Sequence, residues 1–280
     1  MAEHVKFRLV VACCLSDLLR IHAPDTPFDD NQLRDVFQLL VSQCAGIEDI
    51  QGASYHRHVY LIERLAVVKS FVLLPEMADD LVLQTFETFF DAVNVEHGMR
   101  VEKHMLDILN TCVEGEEGVS QQLADQVLQN LIEPRRSERP AAYRLARAFL
   151  QRCANELQRA VLSFFQDCMP STISVTGEAE GSELREDWRE LLVEMAAISP
   201  DMVTYLLPQL EDVVAMEDET IRLQGTELLA NLFLLDECNI AAQLPSLFTN
   251  SFLGRVNDVS SNVRLVAVEH AARVLVKKTS

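Results

Sequence analysis

Glycine and proline are scarce in this sequence, with nine of each in 280 residues, and aromatic residues make up only 6%. Glycine-built turns are therefore few, and the sites that depend on them are missing. The phosphate cradle G-x-x-x-x-G-K-[ST], the dinucleotide fingerprint G-x-G-x-x-G and the nucleophile elbow G-x-S-x-G do not occur. Nor does the zinc-protease pattern H-E-x-x-H. The closest histidines, His56 and His58, lie two residues apart, so on a helix they diverge and cannot chelate one metal. Seven cysteines (Cys13, Cys14, Cys44, Cys112, Cys153, Cys168, Cys238) are never spaced C-x-x-C. They read as reduced, buried thiols of an intracellular protein, and the adjacent Cys13 and Cys14 as core packing. No metal, no cofactor and no catalytic residue is expected; a thiol or metal enzyme stands as the different-class alternative.

Long apolar runs are missing too. No uncharged stretch reaches 18 residues, so no membrane-crossing helix is expected. Glu3, Lys6, Arg8 and Asp17 do not suit a signal peptide. Basic charge is in deficit, with 24 Lys and Arg against 43 Asp and Glu, a net charge of −19. A surface this acidic repels phosphate backbones and anionic lipid. Neither nucleic acid nor membrane is an expected partner of this segment, whereas basic protein segments are.

What the sequence does have is helical patterning. Hydrophobic residues make up 49% of the chain and rarely alternate with period two. Their spacing predicts helices over 3–21, 29–44, 54–72, 76–94, 99–113, 119–132, 140–152, 154–168, 182–198, 200–214, 217–235, 239–252 and 258–277. Asp29, Asp30 and Asp258 are N-cap candidates. The one longer loop is 169–182, "MPSTISVTGEAEGS".

Paired helices call for a search for repeats. Around Arg264, Arg222 and Arg8, apolar or small residues recur at similar offsets, among them Val263, Ala267 and Ala271, then Gly225 and Leu229, then Phe7, Val10, Cys14 and Leu18. Equivalent positions at 8, 57, 102, 144, 185, 222 and 264 lie 49, 45, 42, 41, 37 and 42 residues apart. Arg57 and Arg144 are placed by spacing more than by pattern. A quasi-period near forty with two helices per unit signals HEAT-type repeats. The expected fold is all-α, a curved right-handed HEAT-type α-solenoid of about seven helix pairs. The expected units are 1–21 (partial), 29–72, 76–113, 119–152, 154–198, 200–235 and 239–277. One pair cannot bury its apolar stripe alone, so each stacks on the next. The pattern is in phase at both ends, which leads us to expect a segment of a longer array with an exposed apolar face at one or both ends.

Two surface features stand out. In the Arg-rich stretch 134–159, Arg135, Arg136, Arg139, Arg144 and Arg147 are candidates for binding an anion or an acidic partner. Equally, they serve to neutralise acidic neighbours. The other feature is "HAPDTPF" (22–28). Its two prolines are expected to hold His22–Thr26 out of the helical region. That makes a rigid, extended segment, fit either to bind a peptide at low entropic cost or merely to punctuate two helices.

The stretch "LVVACCLSDLLRIHAPDTPFDDNQLRDVFQLLVSQCAGIED" (9–49) resembles the amino-terminal repeats of the sister chromatid cohesion family named for precocious dissociation of sisters. That family shows a V-A-C-C-L-x-D helix, an A-P-[DE]-A-P-[YF] turn and a helix beginning L-x-D-[IV]-F. Here these fall on Val11–Leu15 with Asp17, on Ala23–Phe28 and on Leu33–Phe37. The likeness continues through "YLIERLAVVKS" (60–70), "VSQQLADQVLQNLI" (119–132) and "FLGRVNDVSSNVRLVAVEHA" (252–271). The resemblance implies a non-enzymatic, chromatin-associated nuclear scaffold. Its partners would be the cohesin complex, its release factor and other regulators, bound through short linear motifs. Carried over residue by residue, the docking site is Ala23, Pro24, Asp25, Thr26, Pro27 and Phe28, with Thr26 where the family has Ala and His22 where Tyr is common. A generic HEAT adaptor, such as a transport or phosphatase scaffold, is the alternative within the same class.

Overall fold

Apolar spacing of three and four residues produces α-helices throughout the computed structural model, which describes residues 2–23, 25–169, 182–236 and 240–279. No strand occurs among the described residues. The chain divides into two units, Met1–Leu157 and Gln158–Ser280. The first contains α1 (Ala2–His22), α2 (Asp30–Cys44), α3 (Tyr55–Val68), α4 (Asp79–Ala92), α5 (Met99–Thr111), α6 (Gln121–Leu128), the single turn α7 (Arg135–Glu138) and α8 (Pro140–Arg152). The boundary falls within α9 (Ala154–Cys168). The second unit continues with α10 (Trp188–Ile198), the turn α11 (Pro200–Val203), α12 (Gln209–Ala215), α13 (Glu219–Phe233), the turn α14 (Ile240–Gln243) and α15 (Ser261–Thr279).

In the first unit the helices form two rows. One row runs α1, α3, α5, α8 and the other α2, α4, α6, each helix packing on the next of its row. The core between them is rich in phenylalanine. Phe37 meets Phe71 edge to face at 5.4 Å, and Phe86 meets Phe149 at 5.0 Å. Each ring is fully buried, which stabilises the fold by on the order of 2–3 kcal/mol per side chain. Polar rungs join successive helices of the first row. The Tyr60 hydroxyl donates to Asp17 at 3.0 Å, Arg100 to Glu63 at 2.7 Å, Arg144 to Glu102 at 2.7 Å and Arg152 to Asp107 at 2.5 Å. Such half-exposed bonds contribute little stability each, roughly 0–1 kcal/mol. Their value is register.

In the second unit α13 packs between α10, α12 and α15. Gly225 makes the α12–α13 approach possible, since a Cβ there would lie 2.9 Å from Val214 Cγ1 and 3.1 Å from Val213 Cγ1. Of the α15 positions that the spacing marks, Val263, Ala267, Ala271 and Val274 are buried and Val266 is half-buried. Arg222 and Asp258 form a buried pair, their side chains 8% and 2% exposed, with Arg222 Nε 3.1 Å from Asp258 Oδ2. Arg222 also caps the preceding turn through the carbonyls of Met216 and Glu217. Arg264 repeats that device on the carbonyls of Asp258 and Val259.

Several expectations need correcting. The 54–72 helix is broken at Lys69, which adopts a left-handed conformation. The 200–214 and 239–252 helices are each interrupted near a proline, Pro208 and Pro245, whose missing N–H cannot continue the ladder. His22 remains helical, because the steric restriction of a proline falls on the residue directly before it, here Ala23. The stripe Phe7, Val10, Cys14 and Leu18 is exposed, and α1 instead buries Leu9, Ala12, Ser16 and Leu19 against its neighbours. Cys14 is thus a surface residue and Cys13 half-buried, not core. Nearly all of the 169–182 loop, and Cys238, lie outside the described residues.

Asp258 titrates with the fold. Burial pushes its carboxyl up, but hydrogen bonds from the Ser260 N–H and the Arg222 guanidinium outweigh that and hold it below its ordinary value. A depressed carboxylate stabilises the fold above its unfolded pKa and loses that contribution as pH falls through the folded value. Asp258→Ala should cost about 3–5 kcal/mol at pH 7, because it strands a buried guanidinium. The loss should shrink below about pH 4, and paired denaturant titrations at pH 7 and pH 3 will check both signs.

Candidate functional site

The turn after α1 begins at Ala23 because Pro24 cannot donate to the helix and bars its predecessor from the helical region. Pro24 itself lies outside the described residues. The next helix starts with a capping box. The Asp29 carboxylate accepts from the Gln32 N–H at 2.9 Å, and the Asp29 N–H donates to Gln32 Oε1 at 3.2 Å. Between them the Phe28 N–H donates to Thr26 Oγ1 at 3.3 Å. The C-terminal half of the turn is therefore held in place.

Ala23 and Asp25 line a groove of about 540 Å³, with Leu19 beneath them. The opposite wall comes from the end of α3 and the turn after it, through Val68, Lys69, Ser70, Val72 and Leu73, and Glu114 closes the far side. Thr26, Pro27 and Phe28 are not among the groove walls; Pro27 is exposed and Thr26 and Phe28 half-buried. Of the six residues carried over from the resemblance, the structure brings Ala23 and Asp25 into the groove and leaves Thr26, Pro27 and Phe28 out of its lining.

Three features suit the groove to a ligand. First, Lys69 has φ 55° and ψ 36°, a conformation that costs a residue with a Cβ about 1–2 kcal/mol. Strain of this kind collects at functional sites. It leaves the ammonium on the rim, where Glu114 holds it at 2.8 and 3.0 Å. Second, Ser70 is 6% exposed, yet its Oγ has no hydrogen-bond partner. An unmade bond on a buried hydroxyl is costly, and a ligand that offers a donor or acceptor there would relieve it. Third, Val72 is 49% exposed beside the fully buried Leu74, giving an apolar wall open to solvent. The groove suits an apolar side chain flanked by a polar backbone.

Sequence reading missed Lys69, Ser70 and Glu114. The available signal was the period: Lys69 follows Ala23 by 46 residues and Glu114 follows Lys69 by 45, close to the 45-residue interval between positions 57 and 102. Turns in equivalent positions of a stacked array become neighbours.

The basic candidates are engaged within the chain. Arg135 and Arg139 converge on Asp91 at 2.8 and 3.2 Å, and Arg139 also donates to the Asp91 carbonyl at 2.7 Å. Arg144 pairs with Glu102, Arg147 donates to the Tyr143 hydroxyl at 3.3 Å, and Arg136 lies 5.3 Å from the centre of the Tyr143 ring. This arrangement favours neutralisation of neighbouring acids. His58 is buried and bonded to the Gln43 carbonyl at 2.9 Å while His56 is exposed, so the two do point apart. Burial pushes the thiols of Cys44 and Cys153 up to about 12, which keeps them protonated and unreactive. Among the described residues no cluster of His, Cys, Asp and Glu could hold a metal, and no helix is long and apolar enough to cross a membrane.

The family model for sister chromatid cohesion protein PDS5 matches residues 3–280. Sister chromatid cohesion protein PDS5 homolog A of Danio rerio is 36% identical over 271 residues, 96% of this chain and 20% of its own length. The Homo sapiens homolog A is 35% identical over the same span, and homolog B-A of Xenopus laevis 35% over 272 residues, 18% of its length. The chain thus spans about a fifth of the curated relatives it matches. A chain from the solved structure of the Pds5–Scc1 complex superposes with a TM-score of 0.75 at 21% identity, covering 96% of this chain and 42% of that one.

If the Ser70 hydroxyl is unpaired until a ligand arrives, removing it should not harm the free protein. Ser70→Ala should leave stability unchanged or raise it by up to about 1 kcal/mol, read as a melting-temperature shift in the absence of any partner.

Proposed function

Because the chain belongs to the PDS5 family of sister chromatid cohesion proteins, we propose that it is a non-catalytic HEAT-repeat scaffold that regulates cohesin by docking short motifs of its partners. It acts on chromatin in the nucleus. Its partners are the cohesin complex, the cohesin-release factor and other regulators of the ring, and it helps set whether rings stay on chromatin or leave it.

The observation that carries this reading is the groove shared by Ala23, Asp25, Lys69, Ser70, Val72 and Glu114. Ala23 and Asp25 of the family turn line a concave, partly apolar surface together with a left-handed lysine and a buried hydroxyl that has no partner, which supports docking over mere punctuation. Such a surface accepts one or two anchoring side chains of an extended peptide, and the prolines keep the receiving wall rigid, which lowers the entropic cost of capture. The surrounding acidity, with Asp25 and Glu114 on the walls, draws motifs flanked by basic residues. A generic HEAT adaptor would take basic cargo along its length without needing this turn.

Asp25→Lys reverses a wall charge and Pro27→Ala loosens the turn. Each should weaken capture of a synthetic release-factor peptide at least tenfold, about 1.4 kcal/mol, with the helical circular-dichroism signal unchanged. Fluorescence anisotropy decides the matter. Equal affinity in both variants returns the turn to punctuation, and binding of a scrambled basic peptide as tight as the motif supports the adaptor reading.

A further inference from the structure

Thr26 is the residue of the turn that departs from the family pattern, and it is not among the residues that line the groove. Its setting is P-D-T-P, with a proline two residues before the hydroxyl and another directly after it. Proline-directed protein kinases require the second proline, and one class of them prefers the first as well. Proline also biases its predecessor, here Thr26, toward extended backbone, the form in which a kinase threads its substrate. Thr26 lies between α1 and α2, outside any helix, half-buried beside the exposed Asp25 and Pro27. The other Ser/Thr-Pro pair, Ser199-Pro200, is built differently: the Ser199 N–H closes α10 on the Met195 carbonyl at 2.8 Å and Pro200 opens α11, so helix flanks it on both sides.

We propose that Thr26 is a phosphoacceptor for a proline-directed kinase and that its phosphorylation closes the docking groove. In the transfer, Thr26 Oγ1 attacks the γ-phosphorus of ATP. The Oγ1–P bond forms as the bond to the β–γ bridging oxygen breaks, ADP leaves with that electron pair, and the hydroxyl proton passes to the kinase's base. The product adds a charge of about −1.5 to −2 next to Asp25. The groove walls already carry Asp25 and Glu114 against Lys69. The new dianion deepens the negative charge beside Asp25 and hydrates the lip that an apolar side chain must cross. The fold tolerates it, because the phosphate sits just ahead of the α2 N-terminus, where negative charge is favoured, and the Asp29–Gln32 capping box is untouched. This inference rests on the docking reading for its consequence, but not for the modification itself.

The test treats the 280-residue chain with a recombinant mitogen-activated protein kinase and radiolabelled ATP, then measures affinity for the release-factor peptide. Label should appear on wild type and on Ser199→Ala, fall in Pro24→Ala and vanish in Thr26→Ala and Pro27→Ala. Phosphorylated wild type should bind the peptide at least tenfold more weakly than unmodified wild type, whereas Thr26→Ala should bind equally before and after kinase treatment. Absence of label, or label that persists in Thr26→Ala, overturns the modification. Stoichiometric label on Thr26 with unchanged affinity overturns the closure. If unmodified wild type fails to bind the peptide while Thr26 is labelled, the docking reading fails and the modification stands.

Discussion

The contact on which the rest depends is the covering of each helix by the helix one period further along the chain. A single amphipathic pair has nowhere to put its apolar stripe. In the first unit α1 is closed by α3, α3 by α5 and α5 by α8, while α2, α4 and α6 do the same in the other row. Because the covering is always one period away, so are the bonds: Asp17 with Tyr60, Glu63 with Arg100, Glu102 with Arg144. It also stacks the turns. A turn at one end of a pair has for its neighbour the equivalent turn of the next pair, and that placed Asp25, Lys69 and Glu114 around one groove.

A groove made of turns differs from one made of helix faces. Helix faces in this chain interdigitate closely, and Gly225 is needed even to let α13 approach α12. Turns carry backbone that is not committed to a ladder and residues that helices reject. Here they supply the left-handed Lys69 and the two prolines around Asp25. Left-handed residues and prolines are also what ordinary helix ends and starts use. Here Asp25 and Lys69, from two such turns, line one concavity.

Most of the fold was legible in the sequence because the apolar period specifies helices directly. The bounds of α8 and α9 match the spacing to the residue, and the forty-residue recurrence located each helix of the first row. What was not legible is a matter of orientation and of distance along the chain. On α1 two apolar stripes compete, and only the packing against α2 and α3 decides that Leu9, Ala12 and Leu19 go inside while Phe7 and Val10 stay out. Lys69 gives no warning of its left-handed backbone, since nothing in "VVKSF" resembles a helix stop. For the candidate groove, the motif marks Ala23 and Asp25 and says nothing of Ser70 and Glu114, ordinary residues that join the same lining only because the period stacks their turns on it.

The same stacking explains why a cluster of arginines in an acidic chain need not be a binding site. Arg135, Arg139, Arg144 and Arg152 carry their guanidinium groups on the face that meets the preceding pair, where Asp91, Glu102 and Asp107 already wait. An incoming anion would have to displace carboxylates held in place by the packing of the helices behind them. The rim of the groove is arranged the other way. Among the described residues that line it, one lysine, paired with Glu114, stands against two carboxylates, so the balance of that lining is negative. On the proposed docking reading, that asymmetry is what would let one added anionic group alter what the surface holds.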